Sequence, residues 1–223
     1  MPIDPTFPIS VLCVATFITL CSASDWPFVF GLVIIGWWAN VHREDFCKPK
    51  RIILVGPACG GKDYLRHAFS KFRNFKLDVS VTTRKMRDGE LRGYTYNYID
   101  HDTFVEMKLD NKLKEYAEFG GFLYGTTKEN WDTCNVFIMN PDGLRSLYSK
   151  DRLESYVVYL NPNETTRFDR LHQRPDFDKS KITQRLDDDH AAFRDFHNYD
   201  MLVDNPFFDA EDLVRMLSWE IQC

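Results

Sequence analysis

The chain has no CxxC pair, no excess of basic charge and no apolar run as long as a simple membrane crossing. Each absence removes a class of function. The six cysteines, Cys13, Cys21, Cys47, Cys59, Cys134 and Cys223, are scattered along 223 residues. Without paired spacing they suggest neither a zinc site nor a disulfide framework, and they read as free thiols in a reducing compartment. Lys and Arg number 28 against 33 Asp and Glu, a formal net charge of −5, which argues against a nucleic-acid partner. Hydrophobic residues at 44% and charged residues at 27% are ordinary globular usage and exclude a disordered chain, a collagen-like one and a polytopic channel. One domain with a sizeable core is the default at this length.

Charge is also missing locally. None occurs from Pro5 to Ser24 or from Trp26 to Val41, with Asp25 alone between the two runs. Their apolar stretches, PISVLCVATFITLCSA and WPFVFGLVIIGWWANV, are each shorter than the roughly 20 residues that an untilted helix needs to cross hydrocarbon. Arg43, Lys48, Lys50 and Arg51 follow the second run, which by the positive-inside rule keeps the downstream domain cytoplasmic and places Trp37 and Trp38 near the interface. Residues 1–45 are therefore expected to form a hydrophobic membrane anchor, touching the bilayer through residues 8–42. A secretory signal peptide is the competing reading, but no Lys or Arg precedes SVLCVATFITLCSAS to make a basic n-region. An apolar extension packed on the domain, or an upstream segment wrongly included in the reading frame, stays open.

What is present starts at Arg51. RIILV, residues 51–55, is a β-branched run of the kind expected for a buried parallel strand. Gly56, Pro57, Ala58, Cys59, Gly60, Gly61, Lys62 and Asp63 then follow the GxxxxGK spacing of a phosphate-binding loop, and DYLRHAFSKF continues with helical periodicity. Backbone N–H groups curl around phosphates in such a loop, the helix N-terminus adds its positive dipole end, and Lys62 neutralises the β and γ oxygens. Position 63 departs from the motif: a Ser or Thr hydroxyl belongs there as a Mg²⁺ ligand, and this chain has a carboxylate.

Residues 80–98, SVTTRKMRDGELRGYTYNY, and residues 115–127, EYAEFGGFLYGTT, complete a pattern with the loop GPACGGKD. Together they resemble guanylate kinase, with its GPSGxGKS loop, SxTTRxxRxGExxGxxY segment and E(x)8YG(T/S) segment. The resemblance runs collinearly over about residues 50–206. It implies that Arg84, Arg87, Tyr96 and Tyr124 hold the phosphate of GMP, and that Ser80, Glu115 and Thr126 line the base pocket. The physics agrees, since two guanidiniums fork onto phosphate oxygens and a carboxylate accepts from both N1–H and the exocyclic amine of guanine. TTRFDRLHQRPDFDKSKITQRL resembles the family's lid, which implies catalytic roles for Arg170, Arg174 and Arg185 over the transferring phosphoryl group, beside Lys62. In MLVDN, Asp204 stands where Asn is usual. The family's acidic pair in a DxDxxG context is replaced by Ile138 and Asn140, with Asp142 out of register. The GMP side thus looks complete, while the metal side has lost two carboxylates and a hydroxyl and gained Asp63.

The resemblance implies an α/β fold, a P-loop NTPase-type parallel sheet flanked by helices. Strands are expected near 51–55, 76–80, 135–140, 156–160 and 200–204, and helices near 61–73, 141–149, 163–173, 181–197 and 208–220. The kinase-like domain would span 50–223, with core segments 50–81, 132–171 and 188–223, a GMP-binding insertion at 82–131 and a lid at 172–187. The implied activity is transfer of the ATP γ-phosphoryl group to GMP or dGMP with Mg²⁺, Asp63 being the candidate metal ligand. A guanylate-kinase-like module that binds GMP or a phosphorylated partner with little or no turnover is the alternative.

Overall fold

A computed structural model describes residues 49–174 and 178–221. The expected anchor lies outside the described residues, as do Cys13, Cys21, Cys47, Cys223 and residues 175–177 of the expected lid. Among the described residues no helix is long and apolar enough to cross a membrane. Cys59 and Cys134 are free thiols.

The first strand, β1 (Arg51–Val55), is central to an all-parallel sheet. β6 (Val136–Ile138) pairs on one side of it, and β7 (Ser155–Leu160) then β8 (Met201–Val203) on the other. Its side chains alternate between two cores. Ile52 and Leu54 join Val158 and Leu160 of β7 against α1 (Lys62–Phe69) and α8 (Ala210–Glu220), while Ile53 and Val55 join Val157 and Tyr159 against Trp131, Leu144 and Phe196. Burial on both faces explains why RIILV is apolar without interruption. On α8, Ala210, Leu213, Val214 and Leu217 recur at helical spacing and make its buried stripe.

A second sheet carries the other half of the cavity described below. Its order is β3 (Asn97–Tyr98), β2 (Val81–Thr82), β5 (Phe122–Thr127) and β4 (Leu113–Phe119), with β5 antiparallel to both neighbours. The tight turn between β4 and β5 is Gly120-Gly121, both with positive φ, as a two-residue hairpin loop demands. Helix α2 (His101–Leu109) covers this sheet through Phe104, and Asp100 caps it by accepting from Thr103 N–H. Short helix α3 (Lys128–Thr133) links the two sheets, α4 (Pro141–Ser146) and α5 (Ser149–Leu153) connect β6 to β7, and α6 (Glu164–Gln173) and α7 (Ile182–Phe193) flank the phosphate loop.

Four expected elements differ, one of them helix 181–197, which ends at Phe193. Residues 76–80 make only an isolated bridge, Leu77 to Val136, because Asp78 and Ser80 direct their polar groups into a buried network. Helix 61–73 stops at Phe69, after which Phe72 and Phe75 fold back onto Phe69. The expected helix 141–149 is split in two at Leu147 and Tyr148, whose extended backbone ends α4 and starts α5.

Candidate active site

The chain after β1 turns sharply into the phosphate loop. A Cβ on Gly56 would lie 2.4 Å from the Leu160 carbonyl oxygen of β7, so this approach requires glycine. Cys59 has a left-handed backbone, φ 57°, which is uncommon outside glycine and marks a loop held by its surroundings. Lys62 Nζ donates to the carbonyls of Gly56 at 2.6 Å and Pro57 at 2.8 Å. Burial lowers its pKa, and the nearby Asp63 and Asp189 carboxylates act against that. Asp63 is exposed in the first turn of α1, where a carboxylate suits the helix dipole.

A cavity of ≈ 210 Å³ opens from this loop toward the second sheet, and its lining brings Ala58, Cys59, Lys62 and Asp63 together with Ser80, Arg84, Arg87, Tyr96, Glu115 and Tyr124. Arg174 and Arg185 line it too. Arg170 does not join them. It lines the adjoining groove with Gly60, Gly61, Tyr64 and Phe208, and its guanidinium donates to the carbonyls of Cys59 at 2.9 Å and Pro206 at 2.8 Å. Thr126 is fully buried and meets the cavity through Glu115, to whose Oε1 its hydroxyl donates at 2.7 Å.

Glu115 is 7% exposed. Burial pushes its pKa up to about 7, against the Thr126 hydrogen bond and with some help from the Asp78 charge. Its Oε2 lies over Gly143, where any Cβ would come within 2.5 Å. Ser80 donates to Asp78 Oδ2 at 2.5 Å, and Asn130 Nδ2 donates to Asp78 Oδ1 at 2.7 Å. Burial raises the Asp78 pKa despite these bonds. This end of the cavity thus presents the Glu115 carboxyl, with Asp78 paired behind Ser80.

Arg84 is held by its own neighbours. Its guanidinium grips Glu90 in two bonds, Nη2 to Oε1 at 2.7 Å and Nη1 to Oε2 at 3.0 Å, and Nη1 also donates to the Lys85 carbonyl. Glu90 accepts further from Arg87 N–H and from Tyr98 Oη, each at 2.8 Å. Burial opposes the Glu90 charge, but these hydrogen bonds outweigh it and bring the carboxyl down to about 2. Arg84 uses three of the five N–H groups of a guanidinium in this way. Arg84 and Arg87 line the cavity together. The rings of Tyr96 and Tyr124 meet edge to face at 5.8 Å and wall the same corner.

Sequence reasoning missed Asp78, Glu90 and Asp189. Glu90 had a signal, because it lies inside the RKMRDGE stretch that singled out Arg84 and Arg87. Asp78 is two residues before Ser80, and this near-extended spacing puts both on one side of the chain. Asp189 ends an Asp-Asp-Asp run that reads as a solvated face, yet it is 1% exposed and pairs with Arg167 at 3.1 Å.

A Mg²⁺ ion needs hard oxygen ligands. Asn140 Oδ1 is committed to the Gly143 N–H at 2.7 Å as the cap of α4, and Ile138 lines the cavity with hydrocarbon. Among the described residues no cluster of three or more His, Cys, Asp or Glu is disposed to hold a metal. The donor set fits an ion carried mainly by phosphate oxygens and water, with Asp63 as a protein carboxylate. It does not fit a dedicated protein cage.

The guanylate kinase family model matches residues 48–218. The guanylate kinase of Aster yellows witches'-broom phytoplasma is 32% identical over 163 residues, covering 69% of this chain and 77% of that protein. That of Mycoplasma capricolum is 30% identical over 166 residues, and the match covers 71% of this chain but only 56% of the relative's length. The crystal structure of guanylate kinase from Anaplasma phagocytophilum superposes with a TM-score of 0.57 over 76% of this chain and 82% of that one, at 20% identity, which speaks for the fold alone. With a family match that extends over the phosphate loop, both sheets and the arginine-bearing helices, the chain belongs to the guanylate kinase family.

Proposed function

We propose that the protein transfers the γ-phosphoryl group of ATP to GMP or dGMP, giving ADP and the guanosine diphosphate. One observation carries the reading: the phosphate loop and the pocket around Glu115 line a single cavity. In this reading ionised Glu115 accepts from N1–H and the exocyclic amine of guanine, with Thr126 holding its other face and Ser80 beside it. Adenine presents an acceptor at N1 and would leave the charge unpaired. Arg84, Arg87, Tyr96 and Tyr124 take the acceptor phosphate, and the Glu90 pair fixes the Arg84 plane.

ATP takes residues 56–63 and Lys62 for its phosphates, and its base enters the groove of Tyr64, Arg170, Pro206 and Phe208. An oxygen of the acceptor phosphate attacks the γ phosphorus in line. The bond from that phosphorus to the β,γ-bridging oxygen breaks, and ADP leaves with the electron pair. Arg174 and Arg185 face the equatorial oxygens, where the transition state carries its charge. Asp63 would be the protein ligand of Mg²⁺ bound with ATP, and the ion would supply neutralisation of phosphate charge. Segments 82–131 and 172–187 serve as acceptor-nucleotide insertion and lid, and closing them excludes water. Residues 8–42 serve as a membrane contact that leaves the domain on the cytoplasmic side, a reading supported by the two uncharged runs and the basic residues after them.

Coupled measurement of ADP release tests the activity. ATP consumption should need GMP or dGMP and ignore AMP and CMP. Consumption of ATP that is indifferent to the added monophosphate would exclude the transfer.

A further inference from the structure

Arg185 reaches across the cavity between three parts of the fold. Its guanidinium lies over the Phe119 ring, 4.6 Å from the centroid, at the end of β4 beside the glycine turn. Its Nη1 is 3.7 Å from where a Cβ on Gly120 would be. On the other side Nη2 faces Asp189 Oδ1 at 3.4 Å, one turn along α7. That oxygen is buried and makes no hydrogen bond, so the contact is an ion pair that orients the guanidinium without consuming an N–H. The second oxygen, Asp189 Oδ2, is fully used: it accepts from the Ala58 N–H of the phosphate loop at 3.0 Å and from Arg167 Nη1 at 3.1 Å. Ala58 and Cys59 also pack on Leu171, Ile182 and Leu186 of the flanking helices.

We propose that Phe119 and Asp189 are positioning residues that clamp Arg185 between the second sheet and the phosphate loop, so that its free N–H groups point at the transferring phosphoryl group. The inference rests on the phosphoryl-transfer reading above. A free arginine side chain has many rotamers, and a charge that must meet the equatorial oxygens within a few tenths of an ångström gains from being held before substrate arrives. The aromatic face fixes the plane and the carboxylate fixes one edge. Because the clamp joins the sheet that bears the acceptor pocket to the loop that bears Lys62, a shift of either one moves Arg185.

A double-mutant cycle on the full chain tests the clamp. Phe119→Leu keeps apolar bulk and removes the π face, and it should lower kcat by roughly 3- to 30-fold with little change in KM for either nucleotide. Phe119→Tyr restores the face and should restore kcat. Asp189→Asn keeps an acceptor for Ala58 N–H but loses the charge, and should likewise lower kcat. In an Arg185→Ala background Phe119→Leu should cost no more, and Asp189→Asn should cost only the share carried by its bonds to Ala58 and Arg167. Full additivity with Arg185→Ala, or a Phe119→Leu effect confined to KM, overturns the proposal. Hydrogen exchange at Gly120, Gly121 and Phe122 supplies a readout that needs no turnover: Phe119→Leu and Arg185→Ala should speed exchange there, and no more together than singly. If the parent protein lacks turnover while this exchange pattern holds, the functional reading fails and the clamp stands; unchanged exchange in both variants removes the clamp.

Discussion

At the scale of single residues, the proposed function gives two carboxylates the task of deciding what the site recognises and what it tolerates. Glu115 titrates near 7 in the fold against 4.5 ordinarily, so the nucleotide-free fold holds its proton more tightly than the unfolded chain does. Stability of the free protein should therefore fall as pH rises from about 4.5 to about 7. Guanine makes the opposite demand, because it needs the ionised form as a double acceptor. GMP affinity should weaken up to about tenfold per pH unit below 7, with proton release visible in calorimetry across buffers of different ionisation enthalpy. The GMP phosphate itself titrates near 6, so Glu115→Gln is the control that isolates the carboxylate. That variant should bind GMP roughly 10- to 100-fold more weakly and lose the share of the pH dependence that lies near 7. Equal affinity and an equal pH profile in both proteins would remove Glu115 from the site.

Under the proposed function Asp63 works in two directions in the same pocket. Without metal its charge repels a triphosphate, while with Mg²⁺ it offers the hard oxygen that Ile138 and Asn140 do not. Asp63→Ser should lower turnover at limiting Mg²⁺ although it restores the family's usual residue. Faster turnover at every Mg²⁺ concentration would show the carboxylate to be a lesion.

At the scale of elements, legibility followed the physics of each segment. RIILV was readable as a strand because both its faces are buried, and the loop after it because backbone geometry dictates glycine at fixed offsets. The segment 76–80 was not readable, since its alternation KLDVS has the period of a strand while Asp78 and Ser80 spend their polar groups on a buried network beside β6. The arm between β2 and β3 was readable in its arginines but not in its internal order, because a motif gives residue types and not their pairing. Glu90 holds that arm together by accepting from Arg84, Arg87 and Tyr98. Glu90→Gln keeps the shape and halves the bidentate pairing. It should weaken GMP binding by roughly tenfold, the value of one charge-assisted hydrogen bond, and leave ATP affinity as it was. GMP affinity equal to that of the parent would mean that the arm needs no ion pair to present Arg84.

At the scale of the whole molecule, the proposed anchor rests on the sequence of the first 45 residues, set against the burial pattern of the described domain. The described residues expose and bury side chains as a water-soluble α/β domain does, with continuous apolar runs confined to strands buried on both faces. The two N-terminal runs have no such strand spacing and no charge to place at a surface, and together they offer about the apolar area of a helical hairpin. Full-length protein should therefore sediment with membranes, resist release by high salt, and dissolve in detergent, with turnover following it through each fraction. A single charge near the middle of the second run is the sharper test. Ile34→Arg costs about 2.5–3.5 kcal/mol at the centre of a span, enough to lower membrane partitioning by roughly 50- to 400-fold if that run inserts alone. Because the substitution leaves every residue assigned to the phosphate loop and the cavity unchanged, kcat and KM should stay at the parent values. Partitioning unchanged by Ile34→Arg would show that the second run does not enter the bilayer, and a parent protein found monomeric in the soluble fraction would set aside the anchor altogether.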